Sequence, residues 1–112
     1  MVIEHLLASN ASVNQPTNDG VTPLWYASSK GHVNVVDVLV KNKADIKRSA
    51  SDGSTALWIA ASNGHAGVIR SLQKAGADLN VPNRDGTTPL FAAEAGGNDE
   101  AANVLKEFGA KG

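Results

Sequence analysis

No cysteine occurs anywhere in the 112-residue chain. Disulfide scaffolds, thiolate metal centres and thiol catalysis are thereby excluded, and the usage suits a reducing intracellular compartment, cytoplasm or nucleus. Aromatic residues are scarce, at 4%, so a core has to be assembled from aliphatic and small side chains, which favours closely packed helices over a β-sandwich. A dominant charge is lacking as well: ten Lys plus Arg face eleven Asp plus Glu, for a net charge of −1. Without a basic run to follow a phosphate backbone or an anionic lipid surface, neither a nucleic-acid nor a membrane partner is expected. Long apolar runs are also missing. None reaches the roughly 18 residues that span a bilayer, and no basic region precedes an apolar one at the amino terminus. What is present, 42% hydrophobic and 19% charged residues, is the ordinary composition of a folded domain, and the length predicts a single one.

The chain repeats itself. Asp19-Gly20-Val21-Thr22-Pro23-Leu24-Trp25-Tyr26-Ala27 recurs as Asp52-Gly53-Ser54-Thr55-Ala56-Leu57-Trp58-Ile59-Ala60 and as Asp85-Gly86-Thr87-Thr88-Pro89-Leu90-Phe91-Ala92-Ala93, a step of 33 residues each time. Gly31-His32 is answered by Gly64-His65 and Gly97-Asn98, Leu39 by Leu72 and Leu105, and Ala44 by Ala77 and Ala110. The pattern also runs backwards, with Val2-Ile3 matching Val35-Val36, Leu6-Leu7 matching Leu39-Val40 and Ala11 matching Ala44. A fixed period of this length is the signature of a repeat architecture.

Each unit spells turn, helix, turn, helix. Asp-Gly supplies a tight turn. Thr22, Thr55 and Thr88 stand where a hydroxyl can accept from a free helix-start amide, and Pro23 and Pro89 occupy the first helical position, where the missing donor is harmless. The first helix is predicted to run about two turns to Gly31, Gly64 and Gly97, each placed to end it in a left-handed conformation. In the second, Val35, Val36, Leu39 and Val40, then Val68, Ile69 and Leu72, fall on one face. A single stripe per helix cannot enclose a core, so burial requires neighbouring units to stack.

At these residues the chain resembles the ankyrin repeat, on the period together with Thr-Pro-Leu-x-x-Ala, Gly-His and Gly-Ala-Asp. The resemblance implies an all-α solenoid of stacked helix-turn-helix units joined by β-hairpin-like turns. It divides the chain into a half repeat at 1–16 and repeats at 17–49, 50–82 and 83–112. It implies a non-catalytic adaptor or scaffold that binds a protein partner without a cofactor. In the family the partner touches a concave face, which maps here onto Asn18, Asp19, Val21, Tyr26, Ser29 and Lys30, then Ser51, Asp52, Ser54, Ile59, Ser62 and Asn63, then Arg84, Asp85, Thr87, Ala92, Ala95 and Gly96. Three acids at successive tips, with Tyr26 and Ile59 behind them, point to a partner segment with some basic and some apolar character; the alternative is that the acids only solvate the turns. The half repeat at the start suggests a piece of a longer array, or a neighbouring chain covering Leu6 and Leu7, and leaves open a regulatory or targeting segment of a larger enzyme or channel. Lys106 in place of Val40, and Ala101-Ala102 in place of Val35-Val36, suggest a terminal repeat. Leu72, Asp78, Leu79 and Asn80 resemble the motif that an asparaginyl hydroxylase modifies in ankyrin repeats; the alternative is that Asn80 braces a turn.

One column departs from the family. Where His usually follows Thr-Pro-Leu, this chain has Trp25, Trp58 and Phe91. These rings are expected to replace hydrogen bonding with apolar contact between repeats, the other reading being a binding ladder with Tyr26. His32 and His65 recur in register without accompanying carboxylates or thiolates, so a metal site is not expected; they are read as closing the first helix, and His5 stands alone. No phosphate-binding glycine motif occurs, and the Asp-Gly pairs repeat as turns rather than occurring once as a catalytic pair. Asn10-Ala11-Ser12 matches a glycosylation acceptor only as a short motif, without function inside a cell.

Overall fold

A computed structural model of the chain describes residues 16–18 and 20–110. The half repeat before Pro16, with Leu6, Leu7, His5 and Asn10, lies outside the described residues, as does Asp19. Six helices follow in order: α1 (Pro23–Lys30), α2 (Val33–Lys41), α3 (Ala56–Ser62), α4 (Ala66–Lys74), α5 (Pro89–Ala95) and α6 (Asp99–Glu107). The first helices α1, α3 and α5 pack in succession, the second helices α2, α4 and α6 do the same, and each first helix packs on its own second helix. The outcome is the expected all-helical stack in two layers.

Local chemistry sets the helix starts. The Thr22, Thr55 and Thr88 hydroxyls accept from the Trp25, Trp58 and Phe91 amides, each at 3.1 Å, and Pro23 and Pro89 lead their helices. The turns before them close as narrow hairpins. Ala50 and Ser54 bond across the second turn at 2.9 Å and Asn83 and Thr87 across the third at 3.0 Å, with an isolated antiparallel bridge between Ser49 and Thr55. Arg84 N–H then donates to Asp52 C=O at 2.8 Å, which sews one hairpin to the next. Gly53 has φ +83, and a Cβ there would sit 2.6 Å from the Arg84 amide nitrogen, so glycine is what allows the two hairpins this approach.

Between the layers lies one continuous core. Leu24, Leu57 and Leu90 enter it from the first helices and Leu39, Leu72 and Leu105 from the second. Ala27, Ala60 and Ala93 are wholly buried, which lets adjacent first helices lie close. Ser28 and Ala61 are buried in the next column, and the Ser28 hydroxyl has no hydrogen-bond partner among the described residues. Glu94, third in that column, is exposed and pairs with Lys106 at 3.1 Å. Lys106 therefore links α5 to α6 where Val40 packs against the core.

The second helices of the second and third repeats are followed by Gly76 and Gly109 at φ +96 and +89, but the first repeat has Lys43 there at φ +70. A left-handed backbone costs a side-chain-bearing residue about 1–2 kcal/mol, part of which glycine forfeits through its freer unfolded chain. Lys43→Gly is expected to raise stability by about 0.5–1 kcal/mol, read as a higher urea midpoint at unchanged m-value; no change or a loss contradicts the strain at this position.

Candidate functional site

Sequence reasoning treated the aromatic column as apolar packing. The structure corrects this, because both indoles donate across the repeat boundary. Trp25 Nε1 donates to Ser54 Oγ at 3.1 Å and Trp58 Nε1 to the Thr87 carbonyl at 2.8 Å, each to the residue 29 places on. The rings are partly buried, so a tryptophan N–H turned into the next hairpin needs an acceptor there and finds one. The inter-repeat tie that the missing imidazoles left open is supplied by indole. Phe91 has no N–H and stands 58% exposed.

Three different side chains satisfy the equivalent amide in the three turns. Thr17 Oγ1 accepts from Val21 N–H at 3.2 Å, Asp52 Oδ1 from Ser54 N–H at 2.9 Å, and Asn83 Oδ1 from Thr87 N–H at 3.0 Å. In the second turn the Ser54 hydroxyl, wholly buried, also donates to Asp52 while accepting from Trp25. A relay from indole to hydroxyl to carboxylate thus spans two repeats. The Ser54 hydroxyl first, then the Ser54 amide, hold the Asp52 carboxyl below its ordinary value of 3.8.

The histidine column ties repeats as well. His65 Nε2 lies 2.9 Å from the Ser29 carbonyl, 36 residues back. A carbonyl only accepts, so Nε2 carries the proton, and Nδ1 faces Gly31. Gly31 has φ +77, and a Cβ there would meet that nitrogen at 2.6 Å, so the glycine both ends α1 and seats the ring. Asn98 takes the same role one repeat on, donating to the Ser62 carbonyl at 2.8 Å, and Asn63 Nδ2 donates to the Ser29 carbonyl at 2.9 Å. His32 is exposed. Among the described residues no group of His, Asp and Glu could hold a metal ion.

Of the residues mapped to the partner face, Asn18, Tyr26, Lys30, Ser51, Asp52, Asn63, Arg84, Asp85, Ala95 and Gly96 are exposed, and Val21, Ser29, Ile59, Ser62 and Thr87 are half-buried. Two are misplaced. Ser54 is wholly buried and serves the relay, and Ala92 is buried as well, at 9% exposure. Asp52 reaches solvent but has one carboxylate oxygen committed to its own turn. The Lys30 ammonium lies 5.6 Å from the centre of the Tyr26 ring, a cation–π distance. Asn80 is exposed, and its amide donates to Asp78 within the turn after α4.

An open groove of about 310 Å³ lies elsewhere, lined by Ile46, Lys47, Thr55, Leu57, Ala77, Asp78 and Val81. None of the residues mapped to the face lines it. Its one hydroxyl, Thr55, is occupied in capping α3, and the lining offers no nucleophile, base and orienting group together. No helix among the described residues is long and apolar enough to cross a membrane.

The sequence profile described as ankyrin repeats (3 copies) matches residues 43–111. A second, described as ankyrin repeats (many copies), matches residues 6–59. No curated protein matches the chain.

Two outcomes follow from the inter-repeat ties. Trp58→Phe, which keeps the ring and removes the donor, is expected to lose about 1–2 kcal/mol in urea unfolding; a variant as stable as the parent refutes the indole bond. For Asp52, a carboxyl held below its unfolded value stabilises the fold above that value, and the contribution disappears as pH falls through the folded one. The stability difference between the parent and Asp52→Asn should therefore shrink as pH falls from about 5 towards about 2, and a pH-independent difference would show that the relay does not bind the charged form.

Proposed function

The chain belongs to the ankyrin repeat family, and from that premise we propose that it is a non-catalytic adaptor or scaffold whose partner lies on the open face of the first-helix layer and the adjoining hairpin tips. Protein binding is the general role of ankyrin repeats, and such domains are typically non-catalytic. The observation that carries the reading is a division of labour within each repeat. Columns such as Leu24-Leu57-Leu90 and Ala27-Ala60-Ala93 keep one residue type and are buried. The columns Asn18-Ser51-Arg84, Tyr26-Ile59-Ala92 and Lys30-Asn63-Gly96 change chemistry at every step and mostly face solvent. Side chains that are free to change without touching the core can be chosen by a partner.

Further parts of the reading rest on the sequence. Residues 17–49, 50–82 and 83–112 are successive units of one domain, preceded by part of another. A net charge of −1 without a basic stripe favours protein over nucleic acid. The cysteine-free composition suits the cytoplasm or nucleus. A partner with some basic character suits Asp85 better than Asp52, whose carboxylate already serves Ser54. Asn80 is read as part of a braced turn, in which its backbone N–H donates to Asp78.

Tyr26 and Arg84 are both exposed and stand at opposite ends of the face. Tyr26→Ala with Arg84→Ala is expected to cut capture of the partner from native extract at least tenfold while leaving the helical circular dichroism and urea midpoint close to the parent. Undiminished capture of the same protein rules out this face.

A further inference from the structure

Asn63-Gly64 is the one asparagine–glycine step in the chain, and it closes α3. Glycine after asparagine is the arrangement most prone to loss of the side-chain amide, because no Cβ hinders the glycine nitrogen as it approaches the carboxamide carbon. The glycine is imposed by the fold: Gly64 has φ +79, and a Cβ there would meet Asn98 Oδ1 at 2.8 Å. The asparagine is not imposed, since Lys30 and Gly96 hold the equivalent place before Gly31 and Gly97. Asn63 is exposed, so water and base reach it.

Both reacting groups are nevertheless tied. The attacking nitrogen, that of Gly64, donates its proton to the Ala61 carbonyl at 3.1 Å. The leaving amide, Asn63 Nδ2, donates to the Ser29 carbonyl at 2.9 Å, and His65 Nε2 from the same turn lies 2.9 Å from that carbonyl. Asn63 has φ −95 and ψ 1, a nearly helical setting that directs the Gly64 nitrogen along the chain and away from the side chain it has to attack. For that nitrogen to swing round, the turn of residues 63–65 has to leave Ser29, which opens the junction between α1 and α3.

We propose that Asn63-Gly64 is a site of spontaneous deamidation, latched by the junction between the first and second repeats, and that its product loosens that junction. The deprotonated Gly64 nitrogen bonds to Asn63 Cγ, the Cγ–Nδ2 bond breaks, and ammonia leaves with the proton that the backbone nitrogen gave up. Water then adds to one or the other carbonyl of the cyclic imide and opens it to aspartate or isoaspartate, so water is the only co-reactant. The product cannot remake the latch. A carboxylate has no N–H to donate and sets an acceptor against the Ser29 carbonyl, which itself only accepts. Isoaspartate also adds a methylene to the backbone where α3 ends. The reaction is a one-way loosening of the stack, timed by how often the junction opens.

The full chain is incubated at mildly alkaline pH, folded and in guanidinium chloride, and mass-spectrometric peptide mapping follows aspartate and isoaspartate at position 63. Asn63 is expected to convert before any other asparagine, and about tenfold or more slowly in the folded chain than in the unfolded one. His65→Ala, which removes the neighbouring tie to Ser29, should raise the folded rate, relative to its own unfolded rate, about fivefold. Trp58→Phe acts at the next junction and should leave that ratio near the parent's. Trp25→Phe drops the donor to Ser54 across the first junction and serves for the same reading where circular dichroism shows that His65→Ala does not fold. Asn63→Asp, which carries the product's side chain, should lower the urea midpoint further than Asn63→Ala. Equal folded and unfolded rates, or a ratio that neither first-junction variant moves, overturn the latch. Earlier conversion at another asparagine, or none at Asn63 in the folded parent and the folded first-junction variant alike, overturns the site. Asn63→Asp as stable as Asn63→Ala overturns the loosening.

Discussion

Helices of seven to nine residues cannot hold themselves together in water, where an isolated helix needs about 12–15 residues even to be marginal. Each of the six has one apolar stripe and depends on a neighbour to cover it. Within a repeat the cover is partial, since the second helix shields only one flank of the first. The rest comes from the adjoining repeat, where Leu57 and Ala60 meet the layer begun by Leu24 and Ala27, and Ile69 and Leu72 that begun by Val36 and Leu39. Stability therefore resides at the junctions between units. The small residues follow from this, because helices that share a junction every few residues have to approach closely.

Short helices also have many ends, and every end leaves amides and carbonyls without partners inside the helix. Threonine caps settle the starts locally. The ends of α1 and α3 are also tied across the junctions, where Ser29 C=O receives His65 and Asn63 and Ser62 C=O receives Asn98, while the next hairpin receives the Trp25 and Trp58 indoles. These polar bonds coincide with the apolar contacts, so a repeat that slipped in register would lose both together. Directional bonds of this kind specify geometry where the packing of small aliphatic residues would tolerate some sliding.

Commitment of these groups to the junctions limits what the molecule can do chemically. His65 and Ser54 are engaged in holding repeats to each other and one carboxylate oxygen of Asp52 in bracing its turn, which leaves open to recognition the side chains whose loss does not loosen the stack. Those lie on the open side of the first helices and on the hairpin tips, where Tyr26, Lys30, Arg84 and Asp85 reach solvent.

Period, helix limits and caps were legible in the sequence because they depend on residues close together along the chain: Thr22 and Trp25, Pro23, Gly31, and the spacing of Val36 and Leu39. The helix end at Lys30 follows from Gly31 alone. Repetition also marked the leucine and alanine columns as constant, and Leu24, Leu57, Leu90, Ala27, Ala60 and Ala93 are the constant ones that stacking buries. What lies 29 or 36 residues apart was not legible. Whether an indole finds a hydroxyl, a carbonyl or only carbon depends on how far one repeat is rotated against the next, and no local pattern encodes that angle. For the same reason Ser54 reads as a contact residue and is a buried relay, and Ala92 reads as surface and is buried. Tertiary structure decided these, because only stacking brings the acceptor to the donor and sets the height of one side chain against its neighbour.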